Sequence, residues 1–135
     1  WDCGSGDPWL WVGEEYMTLG EDAHRCIWAH PLPNQKILQI RFPEIPQGDR
    51  LWLRYGLNLE ATVSKRGTDV HVRAKAGDEI LHENTVPADE TSWKRQVLKL
   101  PGEQTSLTLQ IHSKKVFERY FCINGWVVDS NSASQ

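Results

Sequence analysis

Residues 68–86 read Thr-Asp-Val-His-Val-Arg-Ala-Lys-Ala-Gly-Asp-Glu-Ile-Leu-His-Glu-Asn-Thr-Val, and they decide the fold class. Val70, Val72, Ala74 and Ala76 alternate with Asp69, His71, Arg73 and Lys75. A period of two places successive side chains on opposite faces of a strand. Here one face is apolar and the other polar, the pattern of an antiparallel sheet with one side in the core and one in water. Gly77-Asp78 puts Gly first, as a type II′ turn requires, and returns the chain into a second strand, Glu79 to Val86. Such a hairpin must bury its apolar face against a second layer.

Outward from this hairpin the same alternation recurs, broken at short intervals by Pro, Gly, Asn or Asp. His24 to His30 reads as a strand stopped by Pro31-Leu32-Pro33-Asn34. Lys36 to Phe42 points Leu38, Ile40 and Phe42 inward and Gln39 and Arg41 outward, and it ends at Pro43. After the Pro46-Gln47-Gly48-Asp49 turn, Leu51 to Asn58 points Leu51, Leu53, Tyr55 and Leu57 one way and Trp52 and Arg54 the other. Trp93 to Leu100 is a strand of mixed alternation whose inward face stays unassigned. Thr105 to Ser113, with Leu107, Leu109 and Ile111 inward, and Tyr120 to Val128 complete a set of about eight strands. The expected architecture is an all-β, jelly-roll-like sandwich of two antiparallel sheets over residues 24–128. Residues 1–23 are expected as a leading segment lying on the outer face of one sheet, with 13–23 a loop or short helical turn. Residues 129–135 read as a polar tail or linker.

Composition removes several function classes. A chain of 135 residues has the length of one domain that buries its own core. The net charge is −3, and basic residues pair only at Lys65-Arg66 and Lys114-Lys115. Nucleic acid, whose phosphates need a concentrated basic face, is therefore not an expected partner. No apolar run approaches the ~18–20 residues that span a bilayer. The start at Trp1 rather than Met fits a removed signal peptide or neighbouring segment, and the expected location is extracytoplasmic: secreted, periplasmic or at the cell surface. No G-x-S-x-G elbow, H-E-x-x-H, phosphate loop or dinucleotide fingerprint occurs, so no catalytic residues are assigned and no enzyme is expected.

Jelly-roll wiring puts the first, third, sixth and eighth of these strands in one sheet, with the first and last as neighbours. Parity then places Cys26, Trp28, Cys122 and Trp126 on the outer face, joined by Trp52. The expected disulfide is Cys26–Cys122. A bond from Cys3 to either would serve as well, and free buried thiols are the remaining alternative. The three cysteines have no Cys-x-x-Cys or His-x-x-x-His companions, so no metal site is assigned. For the tryptophan-bearing face, the favoured expectation is a cover formed by the leading segment with Trp9-Leu10-Trp11-Val12. The competing one is an open surface on which the apolar C–H faces of sugar rings pack against indoles.

The same wiring sets His71 beside His112 on the outside of the second sheet, with Arg73, Arg41 and Gln110 nearby. This polar, mildly basic surface suits a carboxylate or sugar hydroxyls, and equally suits plain solvation. The candidate ligand-binding residues are thus Trp52, Arg54, Arg41, His71, Arg73 and His112. No cofactor is expected. Asp49, Glu60, Asp69 and Asp89 offer oxygen ligands for calcium, but their spacing matches no calcium motif.

Strand spacing, tryptophan-rich surface and adjacent terminal strands together resemble jelly-roll modules of the galactose-binding and carbohydrate-binding type, over residues 24–128. The resemblance implies a non-catalytic, glycan-binding recognition module. The alternative is an accessory ectodomain of a larger envelope or secreted protein that makes protein–protein contacts and binds no sugar.

Overall fold

The computed structural model describes residues 12–19, 22–63, 66–102 and 106–130. Nine strands occur among them: β1 (Val12–Leu19), β2 (Asp22–Ala29), β3 (Leu38–Phe42), β4 (Arg50–Leu57), β5 (Val70–Ala76), β6 (Glu79–Val86), β7 (Lys94–Lys99), β8 (Leu107–Ser113) and β9 (Phe121–Val128). They form two antiparallel sheets, ordered β1-β2-β9-β4-β7 and β3-β8-β5-β6. The result is a β-sandwich. The anticipated partition of strands between the sheets is the one observed, with β1 as an addition.

That addition corrects the sequence reading. Val12–Leu19 is neither loop nor helical turn: it pairs with β2 from Val12 opposite Ala29 to Leu19 opposite Asp22 and forms the sheet edge. An edge strand needs no clean apolar alternation, because only part of its inner face meets the core. Residues 1–11, including Trp9 and Trp11, lie outside the described residues, and so does their expected cover over the outer face. The tail beyond Ser130 lies outside them too. Ser130 itself donates to Asp49 through its backbone N–H (2.8 Å) and hydroxyl (2.5 Å).

The β5–β6 hairpin has the predicted register, with Ala76 opposite Glu79, and Gly77 takes a φ of 56°. Leu81 is an extra residue on β6, where the register steps from Ala74–His82 to Lys75–Ile80. Strand β7 explains its own mixed pattern. It is an edge strand, so Leu98 is buried under Leu51 while Val97 faces outward opposite Trp52. The core runs between the sheets through Leu51, Leu53, Leu57, Val70, Val72, Leu109, Ile111, Phe121 and Ile123. Burying each such side chain contributes about 1.5–3 kcal/mol. The one helix among the described residues is a single turn, α1 (Leu59–Val63), capped by Asn58, whose Oδ1 accepts the Glu60 N–H at 2.6 Å.

A polar chain crosses the core. Asn84 Nδ2 donates to the Tyr55 hydroxyl (2.8 Å), which lies 2.7 Å from His82 Nε2. When the imidazole is neutral with Nε2 unprotonated, the hydroxyl accepts from Asn84 and donates its own proton to His82. Burial lowers the His82 pKa, and burial is also the main cause lowering that of His30. The sign follows from linkage: as pH falls below the usual 6.5, the unfolded chain takes up protons before the folded one does. This stability is fully present above 6.5 and is lost as pH drops through the lowered folded values. The depressed carboxyl of Glu90, held at about 2 chiefly by the Ser92 hydroxyl, acts only in more acid solution. Thermal melts should therefore show Tm falling between pH 7 and 5, with a shallower slope in His82→Gln. A flat profile in the wild type would refute the assignment.

Candidate functional site

The six candidate ligand residues do not form one site. Trp52 and Arg54 belong to the outer face of the five-stranded sheet, whereas Arg41, His71, Arg73 and His112 belong to strands of the opposite sheet. Each face is a separate candidate.

On the five-stranded sheet, Trp126, Trp52 and Val97 stand in register across β9, β4 and β7. They are 46%, 46% and 59% exposed and so form an apolar row on the outside of the protein. The next row is polar, with Asn124, Arg54 and Arg95 in register. Arg54 leans its guanidinium over the Trp126 ring, 5.0 Å from the centroid. The cation–π contact holds the indole face in place and leaves Arg54 without a carboxylate partner among the described residues. Asn124 Nδ2 donates to the Arg25 carbonyl at 3.0 Å.

Towards β2 the surface closes. Cys26 and Cys122 form the anticipated disulfide, with Cα atoms 5.6 Å apart. Trp28, Trp93 and Tyr120 pack against it, and Trp28 and Tyr120 lie 5.2 Å apart between ring centroids. Tryptophans of the same strand parity therefore take different roles: Trp28 roofs the disulfide, while Trp52 and Trp126 stay open. The face is thus closed beside the disulfide by Trp28, Trp93 and Tyr120 and open at Trp52 and Trp126, while the expected cover by the leading segment lies outside the described residues.

On the four-stranded sheet, a shallow concavity of about 430 Å³ is lined by Ile37, His71, Arg73, Glu83, Gln110 and His112, among others. His71 and His112 are register partners with stacked rings, 5.7 Å between centroids and 26° between planes. Arg41 stands apart. It lines an opening of about 700 Å³ at the flank, with Val12, Ile27, Leu38 and Phe42.

The carboxylates considered for calcium are not brought together. Asp49 binds Ser130, Asp69 accepts the Ala88 N–H at 2.9 Å, and among the described residues no three His, Cys, Asp or Glu side chains are grouped to hold a metal. No helix among the described residues is long and apolar enough to cross a membrane.

Solved structures share this architecture. The CBM51-2 and INT domains of Clostridium perfringens ZmpB align with a TM-score of 0.58 at 14% identity, over 92% of this chain. The chain shares the β-sandwich fold of these solved carbohydrate-binding modules. The same ZmpB domains with CBM51-2 in complex with GlcNAc give a TM-score of 0.59. The CBM51 of Clostridium perfringens GH95, in complex with methyl-galactose, gives 0.56 at 11% identity, over 83% of this chain and 77% of its own. This chain spans 27% of the ZmpB chain. No protein-family model matches the sequence, and no curated protein matches it.

Proposed function

We propose that this chain is a non-catalytic, extracytoplasmic glycan-binding module that holds sugar rings against Trp52 and Trp126, with Arg54 donating to ring or hydroxyl oxygens. The observation that carries the reading is the row Trp126–Trp52–Val97, half-exposed on a sheet face where isolated polar residues would be ordinary. Apolar C–H faces of a pyranose fit such a flat aromatic surface, and the adjacent Arg54, Asn124 and Arg95 supply hydrogen-bonding groups. The disulfide fits an oxidising compartment. The structural neighbours solved with GlcNAc and methyl-galactose make neutral sugars the first ligands to try.

The test is a glycan array followed by titration of tryptophan fluorescence. A binding glycan should perturb the emission, and Trp126→Ala should weaken its affinity about tenfold or more. Undiminished affinity in both Trp52→Ala and Trp126→Ala would remove this surface from the site. A second reading, an accessory domain that contacts a protein, draws on a different observation. Leu59, Val63 and Phe117 are all exposed at the loop end that α1 belongs to, with Arg66 stacked on Phe117.

A further inference from the structure

We infer that the outer face of the four-stranded sheet is a second binding site, for a saccharide that carries carboxylate groups. The inference rests on the glycan reading and extends it to the face opposite Trp52. No Trp, Tyr or Phe points outward from β3, β8, β5 or β6: Phe42 is turned toward the core with Leu38 and Ile40. A ligand on this face must therefore be held by charge and hydrogen bonds.

The outward side chains form ordered rows. In the middle row Gln39, Gln110, Arg73 and Glu83 are in register across the sheet. Gln110 Nε2 donates to Gln39 Oε1 at 3.4 Å, and Arg73 Nη2 meets Glu83 Oε1 at 2.6 Å. In the next row His71 Nδ1 is 2.9 Å from the Thr85 hydroxyl, so its Nε2 is left for a ligand. Neither ring nitrogen of His112 has a hydrogen-bond partner among the described residues. The third row adds Arg41 and Lys75 on either side of Thr108, with no carboxylate partner for either among the described residues. Three permanent cations, Arg41, Arg73 and Lys75, thus share a face with two carboxylates, Glu83, paired with Arg73, and Asp69 at its end, which accepts the Ala88 N–H.

The charge balance selects an anion, and the arrangement selects its form. Arg73 gives Nη2 to Glu83 and Nη1 to Gln110 Oε1 at 3.5 Å, so its guanidinium is held in place and offers its remaining N–H donors to a ligand. His71 and His112 lie one row away, within the same concavity. The flanking Gln, Thr and His groups offer both donors and acceptors, as sugar hydroxyls require.

The test measures affinity of the full chain for polygalacturonate and hyaluronan, each beside its methyl ester, with dextran sulfate as a non-carboxylate polyanion. At least one acid polymer should bind, roughly tenfold or more tightly than its ester. The His71→Ala/Arg73→Gln variant, folded by circular dichroism, should lose that preference. Equal binding of acid and ester, an unchanged preference in the variant, or dextran sulfate binding as tightly would each overturn the inference. If neutral glycans still bind and depend on Trp126, only this inference falls. If no glycan of either kind binds, the glycan reading falls with it.

Discussion

Replacing Arg119 with methionine is expected to destabilise the fold by about 3–5 kcal/mol, a large share of what a domain of this size possesses. Arg119 is 0% exposed, and its guanidinium serves backbone carbonyls rather than a carboxylate. Nε donates to Phe117 O at 3.1 Å, Nη1 to Ala88 O at 3.1 Å and Thr68 O at 3.4 Å, and Nη2 to Ala61 O at 2.5 Å. One side chain thus satisfies acceptors from α1 and from the connections leading into β5, β7 and β9. Burial lowers its pKa, while Glu118 and Asp69 nearby favour the charged form. Exchanging both members of a buried pair for apolar groups is often harmless, but here the carbonyls of Ala61, Ala88 and Phe117 would lose the guanidinium donor, while Thr68 O keeps the Ser113 hydroxyl at 3.4 Å. Urea denaturation should register the loss. A difference under about 1 kcal/mol, the net value of one ordinary hydrogen bond, would show that water replaces the guanidinium. Gly67→Ala offers an independent check, since its Cβ would sit 2.1 Å from Arg119 Nε and 2.6 Å from Phe117 O.

No local sequence signal pointed to Arg119. It precedes Tyr120 and Phe121 in what reads as an ordinary loop, and its partners come from residues 61, 68, 88 and 117. Periodicity, by contrast, is local, which is why β5, β6 and β8 could be read directly, while the pairing of His71 with His112 followed from jelly-roll wiring. Strand parity also placed Cys26 and Cys122 on one outer face. Parity cannot say which outward side chains are roofed: Trp28 and Trp126 share it, and only tertiary contact with Tyr120 and the disulfide separates them. Jelly-roll wiring assigns Trp52 and Arg54 to one sheet and His71, Arg73 and His112 to the other, as observed. Residues 12–19 escaped recognition. Val-Gly-Glu-Glu-Tyr-Met-Thr-Leu alternates poorly, and its strand character depends on the β2 partner.

That β1–β2 hairpin should be the first part of the protein to loosen when the disulfide is removed. Strand β2 is registered with β9 only through Ile27–Ile123 and Trp28–Cys122, whereas β4 is paired with β9 from Arg50 through Leu57. The Cys26–Cys122 bond reinforces this short seam and closes a loop with a sequence separation of 96. In the chain-entropy account, a loop of that size restricts the unfolded state by roughly 4–5 kcal/mol, and removing a native disulfide costs about 2–5 kcal/mol. Cys26→Ala/Cys122→Ala should therefore lower global stability within that range. Hydrogen exchange should locate the change as well as measure it. Amides of β2 should lose protection well before those of β4, because the ladder joining β4 to β9 does not depend on the bond. If β4 and β2 exchange together in the variant, the hairpin is no separable unit and the seam is stronger than its two registered pairs imply. If β2 alone opens, Trp52 and Trp126 stay on an intact pair of strands. Binding through them should then survive loss of the disulfide under conditions where the domain remains folded.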